Sequence, residues 1–276
     1  MRAPEKAGRR AAQLTSTLVG VNRRKFMTTS ASAGLSAVAA ENSLKNSVYG
    51  LFYFYMRNGT QVERTTAYLR DTFAPAAKRA GITSAFFSPV IGERSPYILS
   101  LASYPGWDGM EALHFKFAED KEFQKGWDAY NTIGDPAYDR MEVNLLYAFD
   151  KFPVMEVPST EGRRAARIFE LRTYESPNEK ALARKIKMFE DGEAAIFKRL
   201  GMAPVLFGRA MTGPRMPCLT YMLSFDDLAA RDRLWRAFGS DPEWQKLRAI
   251  PGLSDAEIVS NITNTILRPL PFSMIR

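Results

Sequence analysis

One short segment carries three side chains that could perform acid–base and anion-binding chemistry. In the run IFELRTYESP, residues 168–177, strand alternation sends Glu170, Arg172 and Tyr174 to one face and the intervening apolar residues to the other. A carboxylate can act as a base, a guanidinium can hold an anion, and a phenol can donate a proton. The same residues also suit a structural ion pair inside a protein, and the sequence leaves both roles open.

The small number of cysteine and histidine residues excludes several kinds of covalent link, metal site and catalytic group. The chain has one cysteine, Cys218, and one histidine, His114. An internal disulfide and a Cys/His zinc site are therefore excluded within one chain, and a Ser-His-Asp triad would depend on His114 alone. These counts lead us to expect no metal site. No Gly-x-Gly-x-x-Gly run or phosphate-binding loop occurs either, so we expect no nucleotide cofactor.

The positive charge of the chain is concentrated near its amino terminus. The 276 residues carry a formal net charge of +8, but residues 1–39 hold seven Lys and Arg against one Glu. The remaining residues have 31 basic and 29 acidic side chains, a net charge of +2. We therefore expect no nucleic-acid binding.

Residues 1–40 resemble a bacterial twin-arginine export signal. Arg23 and Arg24 precede a short, weakly apolar segment that ends in a small-x-small cleavage pattern at Ala39 and Ala40. This order predicts export to the periplasm. A mitochondrial presequence is the alternative, since such segments are also rich in Arg and Ser.

The segment after the paired arginines is too short and too polar to span a bilayer, and no other membrane-length segment occurs. The leader before the arginines is long for an export signal. Val21 is a candidate for the natural start.

The rest of the chain contains a repeat. Residues 94–104 (RSPYILSLASY) match residues 215–225 (RMPCLTYMLSF), and residues 120–125 (DKEFQK) match 241–246 (DPEWQK) in the same register. We interpret this as a duplicated module of about 105 residues.

Each module has the same predicted order of elements, β-α-β-β-α-β, which is that of a ferredoxin-like unit. The boundaries are 46–150 for the first module, 151–164 for a linker with Pro and Gly among charges, and 165–272 for the second module. Such a unit leaves one sheet face uncovered by helices. Two tandem modules are therefore expected to close an α+β barrel with helices outside.

Three motifs of the second module resemble the NIPSNAP family: FELRTY at 169–174, KRLG at 198–201 and DPEW at 241–244. The resemblance is clear over residues 167–270 and weaker over 47–150. It implies the dimeric α+β barrel fold. Barrels of this group include haem-dependent and cofactor-free monooxygenases, cyclases, isomerases and small-ligand binders, so the resemblance implies a fold more than a reaction.

The face on which the polar strand residues lie follows from the expected packing. If helices take the apolar face, Glu170, Arg172 and Tyr174 must point into a cavity between the modules. There Arg172 would hold the anionic end of a ligand, Glu170 would act as base and Tyr174 as donor. An ion pair that fixes how the two modules dock is the alternative.

The matching strand of the first module carries aromatic residues instead. Phe52 and Phe54 stand at the places of Arg172 and Tyr174, which predicts an aromatic wall opposite the polar one. Tyr53 is expected at the mouth of the same cavity.

His114 lies on a predicted helix with apolar neighbours, at the place of Trp235 in the second module. A buried packing histidine, a haem ligand, and a general acid or base are the three roles that the sequence permits. A covalent c-type haem is excluded, since no Cys-x-x-Cys-His run is present.

The expected function is binding, with turnover left open, of a small hydrophobic or aromatic molecule in an inter-module cavity. A haem-binding or haem-dependent oxidative enzyme that uses His114 is one alternative. A non-catalytic structural or assembly protein is the other, and assembly into a homo-oligomer stays open.

Overall fold

The computed structural model describes residues 46–159, 161 and 166–276. The leader features at Val21, Arg23, Arg24, Ala39 and Ala40 lie outside the described residues, as does part of the predicted linker.

Eight strands form within the described part of the chain, four in each half. Their bounds are β1 Val48–Tyr55, β2 Thr83–Ile91, β3 Tyr97–Tyr104, β4 Arg140–Ala148, β5 Ile168–Glu175, β6 Ala203–Ala210, β7 Cys218–Phe225 and β8 Asn261–Pro269.

The helices follow the same order in both halves, except that the second half has one more. They are α1 Thr60–Tyr68, α2 Ala74–Arg79, α3 Gly106–Glu119, α4 Lys121–Tyr130, α5 Glu179–Met188, α6 Ala194–Leu200, α7 Leu228–Ser240, α8 Pro242–Arg248 and the additional helix α9 Asp255–Ile258. A π-helical turn joins α1 to α2, and another joins α5 to α6. Both halves thus run strand, helix, strand, strand, helix, strand.

Short polar residues begin several of these helices. Asp120 and Asp241 cap α4 and α8 by accepting hydrogen bonds from backbone N–H groups of the first turn. Asn178 caps α5 by accepting from the N–H of Ala181.

The strands close into one barrel in the order β1-β3-β2-β8-β5-β7-β6-β4. The halves meet edge to edge, β2 against β8 and β4 against β6, in antiparallel register. Both seams form within one chain, so the barrel closes without a second copy. The β4–β6 seam is short and spans only the pairs from Leu146↔Ala210 to Ala148↔Gly208.

The barrel interior is an apolar core built from both halves. Phe169 and Leu171 of β5 pack there with Leu51, Leu99 and Leu267. Because eight strands leave an interior just wide enough for side chains, this space favours apolar residues. The opposite face of β5 lies under the helices of the second half.

Candidate functional site

The Glu170, Arg172 and Tyr174 side chains point toward the helices, so the predicted orientation toward the inter-module space is wrong. Glu170 is fully buried and accepts hydrogen bonds from Arg231 and from the indole N–H of Trp235, both on α7. The prediction assumed that helices require the apolar face of the strand. The closed barrel instead takes the apolar residues, and long side chains of α7 supply polar partners on the outside.

Arg172 links this carboxylate to a pair of phenols. Its Nη1 donates to Glu170 at 2.8 Å, its Nη2 donates to the Tyr174 hydroxyl at 3.1 Å, and the Tyr221 hydroxyl lies 2.9 Å from that of Tyr174. Burial raises the pKa of Tyr174 and raises that of Tyr221 well above its ordinary value. Both phenols are therefore neutral at physiological pH, with Tyr221 donating to Tyr174.

Sequence reasoning missed a second buried pair beside this group. Lys185 of α5 is fully buried and donates to Glu193 at 3.1 Å, and also reaches Asp255 at 3.3 Å. Lys185 precedes the π-helical turn and Glu193 is the last residue of that turn, so the two lie eight residues apart, which is not a helical pairing distance. No sequence signal would have paired them.

The first half carries no copy of this polar group. Phe52 and Phe54 contact the helices there, so the prediction that they form a cavity wall is wrong. Gly50 stands at the place of Glu170, and the Phe52 ring fills its space, since a Cβ added at Gly50 would lie 2.5 Å from that ring. The same fold can therefore place either charged or apolar side chains between the sheet and the helices that cover it.

A cavity of about 490 Å³ opens at one end of the barrel and is lined by both halves. The first half contributes the tyrosines Tyr53, Tyr55 and Tyr97, and the second half contributes the threonines Thr173, Thr220, Thr263 and Thr265. The walls are therefore aromatic on one side and hydroxylated on the other. Tyr53 lies in this cavity, as expected, but Arg172 does not line it.

The barrel topology explains which charges surround the cavity mouth. The β2–β3 and β6–β7 connections both lie at this end, and they bring Arg94 and Arg215 to the rim. Arg140 and Glu142 at the start of β4 complete it together with Glu93.

Loose ion pairs connect these rim residues. Arg94 Nη1 lies 3.3 Å and Arg140 Nε 3.1 Å from Glu142, while Arg215 lies 3.5 Å from Glu93. The Arg140 guanidinium also lies 4.7 Å from the centre of the Tyr55 ring. The rim can therefore present cations and phenols to a molecule that enters the cavity.

The cavity tyrosines and the cysteine stay protonated at physiological pH. Burial, with smaller contributions from nearby ionisable groups, raises the pKa of Tyr97 to about 12 and that of Cys218 to about 11. Burial likewise raises the pKa of Tyr53. The cavity thus offers neutral hydroxyl and thiol groups, with charges only at its mouth.

We expect the protein to lose stability in alkali, in part through Tyr97. The folded state holds the phenol proton to about pH 12, whereas an unfolded tyrosine loses it near pH 10. Rising pH therefore favours the unfolded state: the contribution is fully present below pH ~10 and lost toward pH ~12. Between pH 9 and 11, Tyr97 alone should account for about 1 kcal/mol of the fall in unfolding free energy.

Urea unfolding of wild type and Tyr97→Phe at both pH values would check this expectation. The variant should show a shallower decline in the unfolding free energy, because it carries no phenol to titrate at this site. Equal declines in the two proteins would contradict it.

His114 lies exposed on α3, so the expected buried packing position is wrong. Its ring centre is 5.7 Å from that of the exposed Phe115, whereas the buried residue beside it is Leu113. A one-residue step on a helix turns the side chain by about 100°. His114 does not line the cavity at the barrel mouth.

Among residues 46–159, 161 and 166–276, no group of three or more His, Cys, Asp or Glu side chains is placed to hold a metal ion. No helix in the same ranges is both long and apolar enough to cross a membrane.

Solved structures with the same fold align with most of the chain. A candidate monooxygenase from Lactobacillus acidophilus aligns with a TM-score of 0.56 and 6% identity, over 82% of this chain and 94% of its own. One from Fusobacterium nucleatum aligns with a TM-score of 0.52 and 8% identity, over 82% and 93%. At such identities the likeness shows the fold alone, an α+β barrel.

A NIPSNAP-like domain protein from Burkholderia xenovorans is 21% identical over 40% of this chain and 90% of its own, with a TM-score of 0.35. None of the curated proteins compared with the chain matches it. The sequence model of the NIPSNAP family matches residues 169–274. Residues 169–274 are therefore similar to a NIPSNAP domain.

Proposed function

We propose that the cavity at the barrel mouth binds a small aromatic or otherwise amphipathic molecule. The observation that carries this proposal is a cavity of about 490 Å³ that both halves line, with tyrosines facing threonines and charges at the entrance. Ligand sites for small molecules are concave, of this size range, and combine apolar or aromatic walls with a few polar groups.

The composition of the walls supports an aromatic ligand. Tyr55 and Tyr97 lie with ring centres 5.4 Å apart, and Tyr53 lies 5.8 Å from Tyr97, so three rings form one surface. Such a surface can stack with a planar ligand, while the threonine hydroxyls opposite can hydrogen-bond its polar edge.

The haem alternative receives no support from the position of His114. An exposed histidine on an outer helix, 5.7 Å from an exposed phenylalanine ring, has no enclosing pocket among the described residues. We therefore base the proposal on the barrel cavity and not on His114.

We also propose that the barrel arose by duplication of a ferredoxin-like module and that the protein is exported. The order β4-β1-β3-β2 in the first half corresponds to β8-β5-β7-β6 in the second, and Arg94 and Arg215 occupy matching places. Export rests on the twin-arginine pattern at Arg23 and Arg24 alone.

Cys218 provides a built-in test of ligand binding. It is the sole cysteine, lies in the cavity wall and is 4% exposed. We expect methyl methanethiosulfonate to modify it slowly at pH 8, because raising the thiol pKa from 9.0 to about 11 lowers the thiolate fraction about a hundredfold.

Phenol, p-cresol, benzoate and 4-hydroxybenzoate form a suitable first panel. At least one of them, at saturating concentration, should slow Cys218 modification by roughly tenfold or more by closing the cavity. Native mass spectrometry of the same mixtures should show a one-to-one adduct. If no compound slows the reaction and no adduct forms, the proposed function is wrong.

A further inference from the structure

The side chain of Glu142 is held at the cavity mouth by donors from three separate segments. Arg94, in the β2–β3 connection, lies 3.3 Å from it, and Arg140 on the same strand lies 3.1 Å from it. The Tyr55 hydroxyl of β1 donates to its second carboxylate oxygen at 3.3 Å. Two guanidiniums and one phenol thus converge on a single carboxylate.

This contact set is weak for an ion-pair cluster. Each arginine makes one contact of at least 3.1 Å with Glu142 rather than a two-point pairing, and Arg94 and Arg140 are 60% and 51% exposed. Exposed pairs of this kind contribute little to stability. A ligand carboxylate could therefore replace that of Glu142 with little loss of folding free energy. The donors on Arg94, Arg140 and Tyr55 would then hydrogen-bond to the ligand instead.

A second group in the cavity wall lacks a partner. The side-chain oxygen of Asn144 is buried and accepts no hydrogen bond from any described residue. Asn144 lies two residues after Glu142 on β4, so both side chains lie on the same face about 7 Å apart along the strand. An unsatisfied buried acceptor favours a ligand that brings a hydroxyl or amine donor.

We propose that Glu142 occupies the anion subsite of the cavity, and that the ligand is a hydroxylated aromatic carboxylate that displaces it. This inference rests on the proposed function. The ligand carboxylate would take the contacts from Arg94, Arg140 and Tyr55, its ring would lie against the cavity tyrosines, and its hydroxyl would donate to Asn144. A para-substituted benzene ring matches the spacing of these two subsites.

The other rim charges do not fill this subsite. Arg215 pairs instead with Glu93 at 3.5 Å and with Glu175 at 3.9 Å. Glu142 is therefore the acidic residue that competes directly with a ligand anion at Arg94 and Arg140.

The decisive variant is Glu142→Gln, tested with 4-hydroxybenzoate and with p-cresol, a neutral phenol of similar shape. Removing the competing charge should tighten 4-hydroxybenzoate about fivefold, since exposed pairs are worth up to about 1 kcal/mol. Binding of p-cresol should stay unchanged. Protection of Cys218 and equilibrium dialysis would both measure the dissociation constants.

Two further proteins complete the experiment. The double change Arg94→Ala/Arg140→Ala should weaken 4-hydroxybenzoate and leave p-cresol unaffected. Glu122→Gln is the matched control, since Glu122 is an exposed carboxylate paired with Arg79 at 3.4 Å and lies outside the cavity lining. It should change neither affinity.

The outcomes separate the inference from the proposed function. If p-cresol binds but 4-hydroxybenzoate does not, or if Glu142→Gln shifts both equally, the anion subsite is refuted and the cavity remains a ligand site. If neither compound binds wild type, by protection or by dialysis, both proposals fail. If Glu142→Gln is unfolded, the arginine double variant alone decides between these results.

Discussion

Replacing Glu170 with alanine is expected to lower the free energy of unfolding by about 3–5 kcal/mol, the usual effect of removing one member of a buried charge pair. The carboxylate accepts from Arg172 at 2.8 Å, from two nitrogens of Arg231 at 2.7 and 2.8 Å, and from Trp235 at 2.7 Å. Alanine would leave the Arg172 guanidinium buried with only a phenol as partner. The loss should appear in urea unfolding at pH 7.

A surface pair serves as the control for this change. Glu179 accepts from Arg209 at 2.7 Å, but both side chains are largely exposed. Glu179→Ala should therefore leave the unfolding midpoint nearly unchanged. If Glu170→Ala cost less than about 1 kcal/mol, the buried pair would behave as an exposed one, and the expectation would be refuted.

The first half suggests a compensated variant of the same site. In the first half, β1 carries Phe52 and α3 carries Met110 where β5 and α7 of the second half carry Arg172 and Arg231, and the first half folds without charges there. The triple change Glu170→Ala/Arg172→Phe/Arg231→Met removes all three charges together. It should recover at least half of the stability lost in Glu170→Ala, because no unpaired charge remains buried.

Filling the cavity should abolish ligand binding without unfolding the barrel. Thr173 of β5 lines the cavity, and the first strand of the first half, β1, contributes the aromatic residue Tyr53 to the same lining, so the cavity wall accepts an aromatic side chain from such a strand. In Thr173→Trp the indole would occupy the space proposed for the ligand ring. We expect the dissociation constant for 4-hydroxybenzoate, measured by equilibrium dialysis, to rise at least about tenfold, equivalent to 1.4 kcal/mol.

Thr173→Val is the control that distinguishes the effect of filling the cavity from the effect of removing the Thr173 hydroxyl. Valine keeps the size of threonine but removes the hydrogen bond between the Thr173 and Thr220 hydroxyls, which lie 2.9 Å apart. It should bind within a few-fold of wild type. Unchanged binding in a folded Thr173→Trp protein would place the ligand outside this cavity.

Much of the fold could be predicted because its signals are local. Alternation in FELRTY predicts a strand, and this segment lies in β5. Gly201 adopts a left-handed φ of 83° after α6, and Asp227 caps α7, both of which are residue types favoured at these positions. The NIPSNAP motifs lie within the matched residues 169–274.

Part of the candidate site could also be anticipated. An inter-module cavity with an aromatic side and a polar side was expected, and Tyr53 lines it. The prediction of which residues form the two sides was wrong, because Phe52, Phe54 and Arg172 lie on the helix-facing side of their strands.

The sequence by itself determined which residues share a strand face, since side chains alternate with a period of two. Only the tertiary structure decided which face of β5 lies inside the barrel, because either face could be covered by helices that bring suitable partners. Barrel closure then excluded charge from the narrow interior and gave Glu170 its partners on α7. The rim cluster of Arg94, Tyr55 and Glu142 also depends on strand register across distant segments, which no local pattern encodes.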